Sequence, residues 1–229
     1  MMVTSTSFAD VPLPGYEDSK WPPCRLEIRL FGRTDTGKSA SMFVYGFRPY
    51  FYVALNDHDA AVQCSRIEQY LRTQCRDRRI TVECVQRRKL KPFTDNRTFW
   101  FARVSCTTQR AYRSAVYRMR EVPADMVRTC DDTHLYEANV HPVMRFMQDR
   151  GISASGWVTV DGVRTSSDPR TCAEIEVSQV AYDRVCPVQR ADVAPLVIAS
   201  FDIECVSGDG SFPDASRPSD AVIQIGTTL

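Results

Sequence analysis

Apolar residues in this chain repeat with two different periods. Every second residue is apolar in residues 26–31 and 80–85, which predicts strands with one covered face. Elsewhere apolar residues recur every three or four positions, as on the buried side of a helix. The first helical stripe consists of Ala60, Cys64, Ile67, Leu71 and Cys75, and the second of Tyr112, Ala115, Val116 and Met119. The pattern predicts an α+β fold that is rich in strands.

The predicted elements of residues 50–137 follow a defined order. Strands are expected at 50–55, 80–85 and 98–104, with a short one at 135–136. With the two helices between them, they give β-α-β-β-α-β, the order of a ferredoxin-like module, which RNA-recognition domains share.

Helix boundaries are indicated by capping residues and by proline and glycine. Asn56 or Asp57 suits the N-cap of the first helix, and Pro123 ends the second. A third helix has Pro142 near its start and Gly151 at its close, which is where helices favour these two residues.

The domain plan has four parts. Residues 1–23 lack the basic and apolar segments of a secretory signal and are expected to be a disordered lead-in. Residues 24–185 are expected to form an amino-terminal domain, residues 186–194 a linker, and residues 195–229 the start of another domain. Two late strands are expected to return to the amino-terminal sheet, at residues 156–160 and 174–180.

Two carboxylates follow an apolar run near the end of the chain. Residues 196–199 are all apolar, which predicts a strand covered on both faces. Because side chains alternate across a strand, Asp202 and Glu204 are expected on the same face. Neighbouring acids repel one another unless they are neutralised, and Mg²⁺ prefers oxygen ligands of this kind. The pair therefore suggests half of a two-metal phosphodiester-cleaving site; two solvated acids at a strand end are the alternative.

Composition and charge narrow the class of protein. With 43% hydrophobic and 25% charged residues and no apolar run of membrane-spanning length, the 229 residues predict a soluble globular protein without a membrane partner. Nine scattered cysteines without a C-x-x-C pair argue against zinc or disulfide frameworks and favour a reducing compartment.

Positive charge is concentrated in one segment. Residues 61–120 hold fifteen Lys or Arg but four Asp or Glu, which indicates a polyanion as partner; a solvated face balanced by acidic neighbours is the alternative. The candidate phosphate contacts, next to an aromatic strand at 99–101, are Arg87, Arg88, Lys89 and Lys91.

A phosphate-loop pattern also occurs, but its context argues against nucleotide binding. Residues 32–39 match G-x-x-x-x-G-K-S, which requires a buried strand before it and a helix after it. Here Glu27 and Arg29 mark the preceding strand as half-exposed, and the residues that follow favour another strand. A hairpin turn is therefore predicted.

Four phrases of the sequence resemble family B DNA polymerases and stand in that family's order. Residues 45–53 (YGFRPYFYV), 136–147 (YEANVHPVMRFM) and 155–158 (SGWV) resemble segments of its amino-terminal domain. Residues 195–226 resemble its first exonuclease motif, most of all in delta-type enzymes and those of large DNA viruses.

The resemblance implies an amino-terminal fragment that ends after the first motif of a ribonuclease H-like 3′→5′ exonuclease domain. Asp202 and Glu204 would be catalytic residues and ligands of two Mg²⁺ ions. The 229 residues hold neither the family's later N-x-x-x-F-D and Y-x-x-x-D segments nor its palm motifs, so the fragment alone is expected to be inactive.

The partners implied by the resemblance are a DNA primer–template and a single-stranded 3′ end. In the full-length enzyme they include deoxynucleotides, with a sliding clamp and accessory subunits as further candidates. The implied compartment is the nucleus, or the host nucleus or cytoplasm for a viral protein. Two other readings stay open: a freestanding 3′→5′ exonuclease, and a non-catalytic nucleic-acid-binding module.

Overall fold

The computed structural model describes residues 1–20, 22–56, 58–77, 79–89, 94–122, 134–162 and 164–228. In chain order its strands are β1 (Met2–Pro12), β2 (Cys24–Arg33), β3 (Ser39–Tyr45), β4 (Tyr50–Ala54), β5 (Thr81–Arg88), β6 (Thr98–Ser105), β7 (Leu135–Tyr136), β8 (Trp157–Thr159), β9 (Ile175–Ala181), β10 (Cys186–Val188), β11 (Ser200–Val206) and β12 (Ala221–Thr228). Its α-helices are α1 (Ala60–Gln74), α2 (Gln109–Arg120) and α3 (Pro142–Arg150). The predicted mixed, strand-rich α+β class is confirmed. None of the helices in the described ranges is long and apolar enough to cross a membrane.

The largest sheet has six strands in the order β10-β8-β1-β2-β3-β9. All neighbouring pairs are antiparallel except β3 and β9, which are parallel. Leu26, Ile28 and Leu30 of β2 pack in one buried cluster with Phe146 of α3, so α3 covers this face. The two late strands predicted to return to this sheet are confirmed as β8 and β9.

The expectation that residues 1–23 are disordered is wrong. β1 pairs along its whole length with β2, and Met2 and Val3 are buried. Residues rich in Ser and Thr resemble a linker in composition, but β-branched and aromatic residues also suit a strand whose backbone is paired. The assigned linker also begins too early, because β10 pairs with β8.

Gly32 of β2 permits an unusually close approach to β1. A Cβ atom at this position would lie 1.9 Å from the carbonyl oxygen of Met2, so no other residue fits without moving the backbone. The pairing of β1 with β2 shifts register just beyond this point, between Val3 and Ser5.

The phosphate-loop pattern forms a hairpin turn, as predicted. β2 and β3 are an antiparallel pair, and the N–H of Thr34 donates to the carbonyl of Lys38 across the turn. Gly37 has a φ of 81°, a conformation that glycine adopts without strain. Since no helix follows the turn, the geometry that cradles phosphate at a helix N-terminus does not form here.

The second sheet has four strands in the order β5-β6-β4-β7, and every neighbouring pair is antiparallel. Its elements follow one another as strand, helix, strand, strand, helix, strand. Both helices pack on one face, and every residue of the two predicted helical stripes is buried there. The first helix begins after Asp59 and not at Asn56; Asp57 and Pro123 lie outside the described residues.

The opposite face of the four-stranded sheet is aromatic. Tyr50, Tyr52 and Phe101 are buried there, with Phe99 beside them, whereas Trp100 packs on the helical side. Consecutive aromatic residues of β6 therefore face opposite ways, as the pleat of a strand requires.

Helix α3 connects the two larger sheets. The Tyr50 hydroxyl donates to Asp149 of α3 at 2.8 Å, and the Arg145 guanidinium lies 4.5 Å from the centre of the Tyr50 ring. Burial, followed by the hydrogen bond to Asp149, raises the pKa of Tyr50. The helix ends at Gly151, as predicted, and this glycine adopts a left-handed conformation.

Asp10 of β1 makes a second connection between these sheets. Its carboxylate accepts hydrogen bonds from the backbone N–H groups of Gln109 at 2.7 Å and Arg110 at 2.9 Å, in the first turn of α2. A negative charge at this end of a helix also interacts favourably with the helix dipole. The strand thus caps a helix that belongs to another sheet.

Glu27 organises the remaining face of the six-stranded sheet. This fully buried carboxylate accepts from Arg29 Nε at 2.6 Å, from Arg170 Nη2 at 3.0 Å and from the Tyr45 hydroxyl. Burial alone raises the pKa of Glu27, but the hydrogen bonds from Tyr45, Arg29 and Arg170 lower it further than burial raises it.

We expect Asp10→Ala to lower the free energy of unfolding by about 1 kcal/mol, because two N–H groups of α2 lose their acceptor. Urea unfolding of the purified chain measures this. Asp18→Ala, at an exposed carboxylate without a described partner, is the matched control. Equal stability of the two variants would contradict the capping role.

Glu27 should make stability depend on pH. Since its pKa is lower in the folded state, its contribution is present above the ordinary value of 4.5 and is lost as the pH falls through the folded value. We expect Glu27→Gln to lower the free energy of unfolding by about 1–3 kcal/mol at neutral pH. The variant should also lose less stability than wild type as the pH falls into the acid range. Urea unfolding at a series of pH values measures both effects. An acid-side slope like that of wild type would refute this role, and Glu17→Gln, at an exposed carboxylate, serves as control.

Candidate functional site

The two predicted site carboxylates lie on a two-stranded hairpin. β11 and β12 pair antiparallel, with Asp202 opposite Gly226 and Glu204 opposite Gln224. Both acids are exposed, and their spacing of two along the strand gives them the same face. The register shifts directly after Glu204, so a bulge lies beside the pair, a feature that re-aims side chains.

The described residues do not neutralise these carboxylates. Across the described ranges, no Lys, Arg or His lies within ion-pair distance of Asp202 or Glu204. Asp202 accepts one hydrogen bond at 2.9 Å, from the N–H of the adjacent Ile203. Most of their acceptor capacity therefore faces solvent.

Exposed carboxylate oxygens of this kind fit a hard cation such as Mg²⁺, which proteins often hold with one or two carboxylates plus substrate phosphates. Among the residues that the structure describes, no third His, Cys, Asp or Glu gathers with them to form a cation site. The pair therefore offers part of a coordination shell.

The predicted covered strand at residues 196–199 is wrong. β11 begins at Ser200, and Val197 and Ile198 are 72% and 73% exposed. Apolar side chains on both faces of the hairpin are exposed as well: Phe201, Ile203, Val222, Ile223 and Ile225. The apolar run is real, but a two-stranded ribbon provides no second layer to cover it.

The acids of the connecting loop stabilise its turns. Asp209 accepts from the N–H of Ser211 at 2.9 Å, and hydrogen bonds from Ser207 and Ser211 lower the pKa of Asp209 to about 2. Arg217 contacts Asp209 at 3.0 Å and Asp220 at 3.2 Å. These carboxylates are held by the loop itself.

The predicted phosphate contacts do not share one surface. Arg87 and Arg88 are exposed on β5, an edge strand, and consecutive residues of a strand face opposite ways. Lys89 lies with its ammonium 4.5 Å from the centre of the Phe99 ring, beside the aromatic face. Lys91 lies outside the described residues.

Sequence analysis missed a group of arginines that gathers between the two larger sheets. Arg25, Arg48 and Arg79 are far apart along the chain but line one cleft. Arg48 belongs to the phrase YGFRPYFYV, and Arg79 belongs to the basic segment 61–120, but neither signal pointed to a cleft.

Comparisons with known proteins agree with the resemblance found in the sequence. Residues 133–229 match the family model described as DNA polymerase family B, exonuclease domain. The chain is 32% identical over 232 residues to the DNA polymerase catalytic subunit of Tupaiid herpesvirus 1, which covers 97% of this chain and 18% of that one. It is 27% identical over 240 residues to the DNA polymerase delta catalytic subunit of Drosophila melanogaster, with 95% and 22% covered.

A viral relative and a solved structure extend these similarities. The chain is 29% identical over 220 residues to the DNA polymerase of Acanthamoeba polyphaga mimivirus, which covers 88% of this chain and 13% of that one. The fold is similar to that of the family B DNA polymerase from the archaeon Pyrobaculum calidifontis, with a TM-score of 0.66 and 23% identity over 99% of this chain and 25% of that one.

Together the similarities support a family B DNA polymerase exonuclease region in this chain, so the predicted family is confirmed. The chain spans 13 to 22% of the length of the three relatives named. The family match begins at residue 133, well before the predicted boundary at 195, and that boundary stays a prediction.

Because Asp202 is exposed and, among the described residues, accepts a hydrogen bond from its neighbour's N–H alone, Asp202→Asn should leave the hairpin unchanged in metal-free buffer. Asp209→Asn should instead weaken the loop, since Asp209 holds Ser207, Ser211 and Arg217. Amide hydrogen exchange read by NMR separates the two: we expect several-fold faster exchange at Ser211 in Asp209→Asn alone. Faster exchange across β11 and β12 in Asp202→Asn would show that this carboxylate supports the fold.

Proposed function

We propose that this chain is the amino-terminal part of a family B DNA polymerase and supplies the first two carboxylates of its 3′→5′ proofreading exonuclease. The observation that carries the proposal is the geometry of Asp202 and Glu204. They share one face of an exposed strand and lack a described cationic partner, within the region matched to the exonuclease family model.

In this proposal Asp202 and Glu204 would hold two Mg²⁺ ions where the 3′ end of a single DNA strand binds. The ions would supply the chemistry that activates water and stabilises the leaving 3′ oxygen. The chain's own contribution is to present two carboxylates at fixed spacing on a paired strand. Their mutual repulsion is relieved when cations bind, which favours occupancy of the pair.

Two parts of the fold support this proposal. The four-stranded sheet, with strand order β5-β6-β4-β7 and two helices on one face, supports a ferredoxin-like module at about residues 50–137. The antiparallel hairpin of β11 and β12 is consistent with the first strands of a ribonuclease H-like domain, and its exposed apolar residues suit a surface that another layer covers.

The wider assignments follow from the relatives. Several are delta catalytic subunits or viral DNA polymerases, so the proposed substrates are a primer–template and, in the full-length enzyme, deoxynucleotides. A sliding clamp and accessory subunits are proposed as partners and no membrane is, with replication in the nucleus or in an infected host cell. Arg87, Arg88, Lys89 and Lys91 are proposed to attract DNA phosphates.

In the full-length polymerase, we expect Asp202→Ala combined with Glu204→Ala to lower Mg²⁺-dependent exonuclease activity at least about 100-fold, because the metal ligands are lost. Polymerisation should stay near the wild-type rate. Degradation of a labelled single strand and extension of a primed template measure the two activities. Loss of both together would indicate that the pair maintains the fold, and Asp18→Ala, at an exposed carboxylate outside the hairpin, is the control.

The same assays on residues 1–229 alone test the open alternatives. We expect no Mg²⁺-dependent cleavage above that of the Asp202→Ala variant, because the later carboxylate segments are absent from these residues. Metal-dependent cleavage that requires Asp202 would favour a freestanding exonuclease. A full-length protein that binds DNA without Mg²⁺ and shows neither activity would favour a non-catalytic binding module.

A further inference from the structure

A cleft of about 430 Å³ lies at the junction of the two larger sheets. One wall comes from β2, β3 and β9 of the six-stranded sheet, and the other from the residues that flank β4, β5 and β6 of the four-stranded sheet. Its lining includes three guanidinium groups, those of Arg25, Arg48 and Arg79, next to the apolar side chains of Leu26 and Phe47.

Positive charge in this cleft exceeds the negative charge that balances it. Arg79 pairs with Asp77 at 3.0 Å. Within the part of the chain that the structure covers, no carboxylate lies within ion-pair distance of Arg25 or Arg48. Two of the three cations therefore have no counter-ion among the described residues.

Contacts within the protein use only part of the hydrogen-bonding capacity of these arginines. Arg79 donates to the carbonyl of Cys24 at 2.8 Å, and Arg48 donates to the carbonyl of Arg79 at 2.9 Å. These bonds help to join the two sheets. The Nε atoms of both Arg25 and Arg48 are nevertheless buried without a hydrogen-bond partner. Each of these two guanidinium groups therefore keeps hydrogen-bond donor capacity that the described contacts do not use.

Arg25 is also held in place. Its guanidinium lies 3.5 Å from the centre of the Tyr45 ring, and its Nη2 donates to Gln179 Oε1 at 3.0 Å. Gln179 has a φ of 58°, a region that residues other than glycine rarely occupy, at an irregular point of β9. A pre-positioned guanidinium loses little freedom when it binds a ligand.

We propose that this cleft binds a phosphate group through Arg25 and Arg48, with Arg79 contributing charge. Phosphate offers several acceptor oxygens, and guanidinium groups match its geometry better than an ammonium does. Apolar neighbours strengthen such charge-assisted bonds by excluding water. The phosphate comes either from the backbone of a DNA strand or from a free phosphate or nucleotide, which present the same chemistry to the cleft.

The test uses residues 1–229 in EDTA, so that its result is independent of metal binding at Asp202 and Glu204. Binding of a fluorescent oligothymidylate of about twelve nucleotides is measured by anisotropy at several salt concentrations. We expect Arg25→Gln and Arg48→Gln each to weaken affinity roughly 10-fold and to reduce the salt dependence by roughly one phosphate contact. Arg164→Gln, an exposed arginine that does not line the cleft, should bind like wild type.

NMR of the arginine Nε–H groups in the wild-type chain decides the source of the phosphate and does not depend on how the variants fold. Shifts of Arg25 and Arg48 that saturate with oligothymidylate assign the cleft to a DNA backbone. Saturating shifts with inorganic phosphate, pyrophosphate or dTTP, but not with the oligonucleotide, assign it to a free phosphate or nucleotide. If neither set of probes shifts these signals, the proposal is overturned.

Discussion

Asp10 belongs to the six-stranded sheet, and its carboxylate binds the first turn of α2, which packs on the four-stranded sheet. Polar contacts of this kind fix the arrangement of the two larger sheets. Their apolar cores are separate clusters, one under α1 and α2 and the other under α3. The sheets are joined instead through directional bonds, including the one from Tyr50 to Asp149. Directional bonds define a relative orientation that apolar contact alone leaves freer. The arginine-lined cleft is formed by residues of both sheets, so its shape depends on this orientation.

The carboxylate pair on the hairpin illustrates the opposite condition. Asp202 and Glu204 are supported by little besides the pairing of β11 with β12, and the apolar residues around them are exposed. Strand geometry alone gives the two acids a common face. The electrostatic repulsion between the two carboxylates is small in water, because the solvent screens it. The repulsion becomes larger when another layer covers the apolar residues and removes that water.

The fold was predicted most accurately from the sequence where the period of apolar residues determines which side chains are buried. The stripes of α1 and α2 lie in the core because one helical face must be covered, and the alternation of Phe99, Trp100 and Phe101 follows from the pleat of β6. The strand β1 could not be predicted in this way, because its pairing depends on a partner distant in sequence and its composition resembles that of a linker. The common face of Asp202 and Glu204 was predictable from their spacing. The cleft was not, since Arg25, Arg48 and Arg79 meet only through tertiary structure.

The missing side chain of Gly32 has an effect that reaches beyond its own strand pair. It lets the backbone of β1 approach β2 so closely that any Cβ atom would overlap the carbonyl oxygen of Met2. The same strand carries Asp10 at its other end, against the start of α2. A methyl group at position 32 would push β1 away from β2. The displacement would extend along the strand to Asp10 and weaken its hydrogen bonds to α2, a helix that residue 32 does not contact.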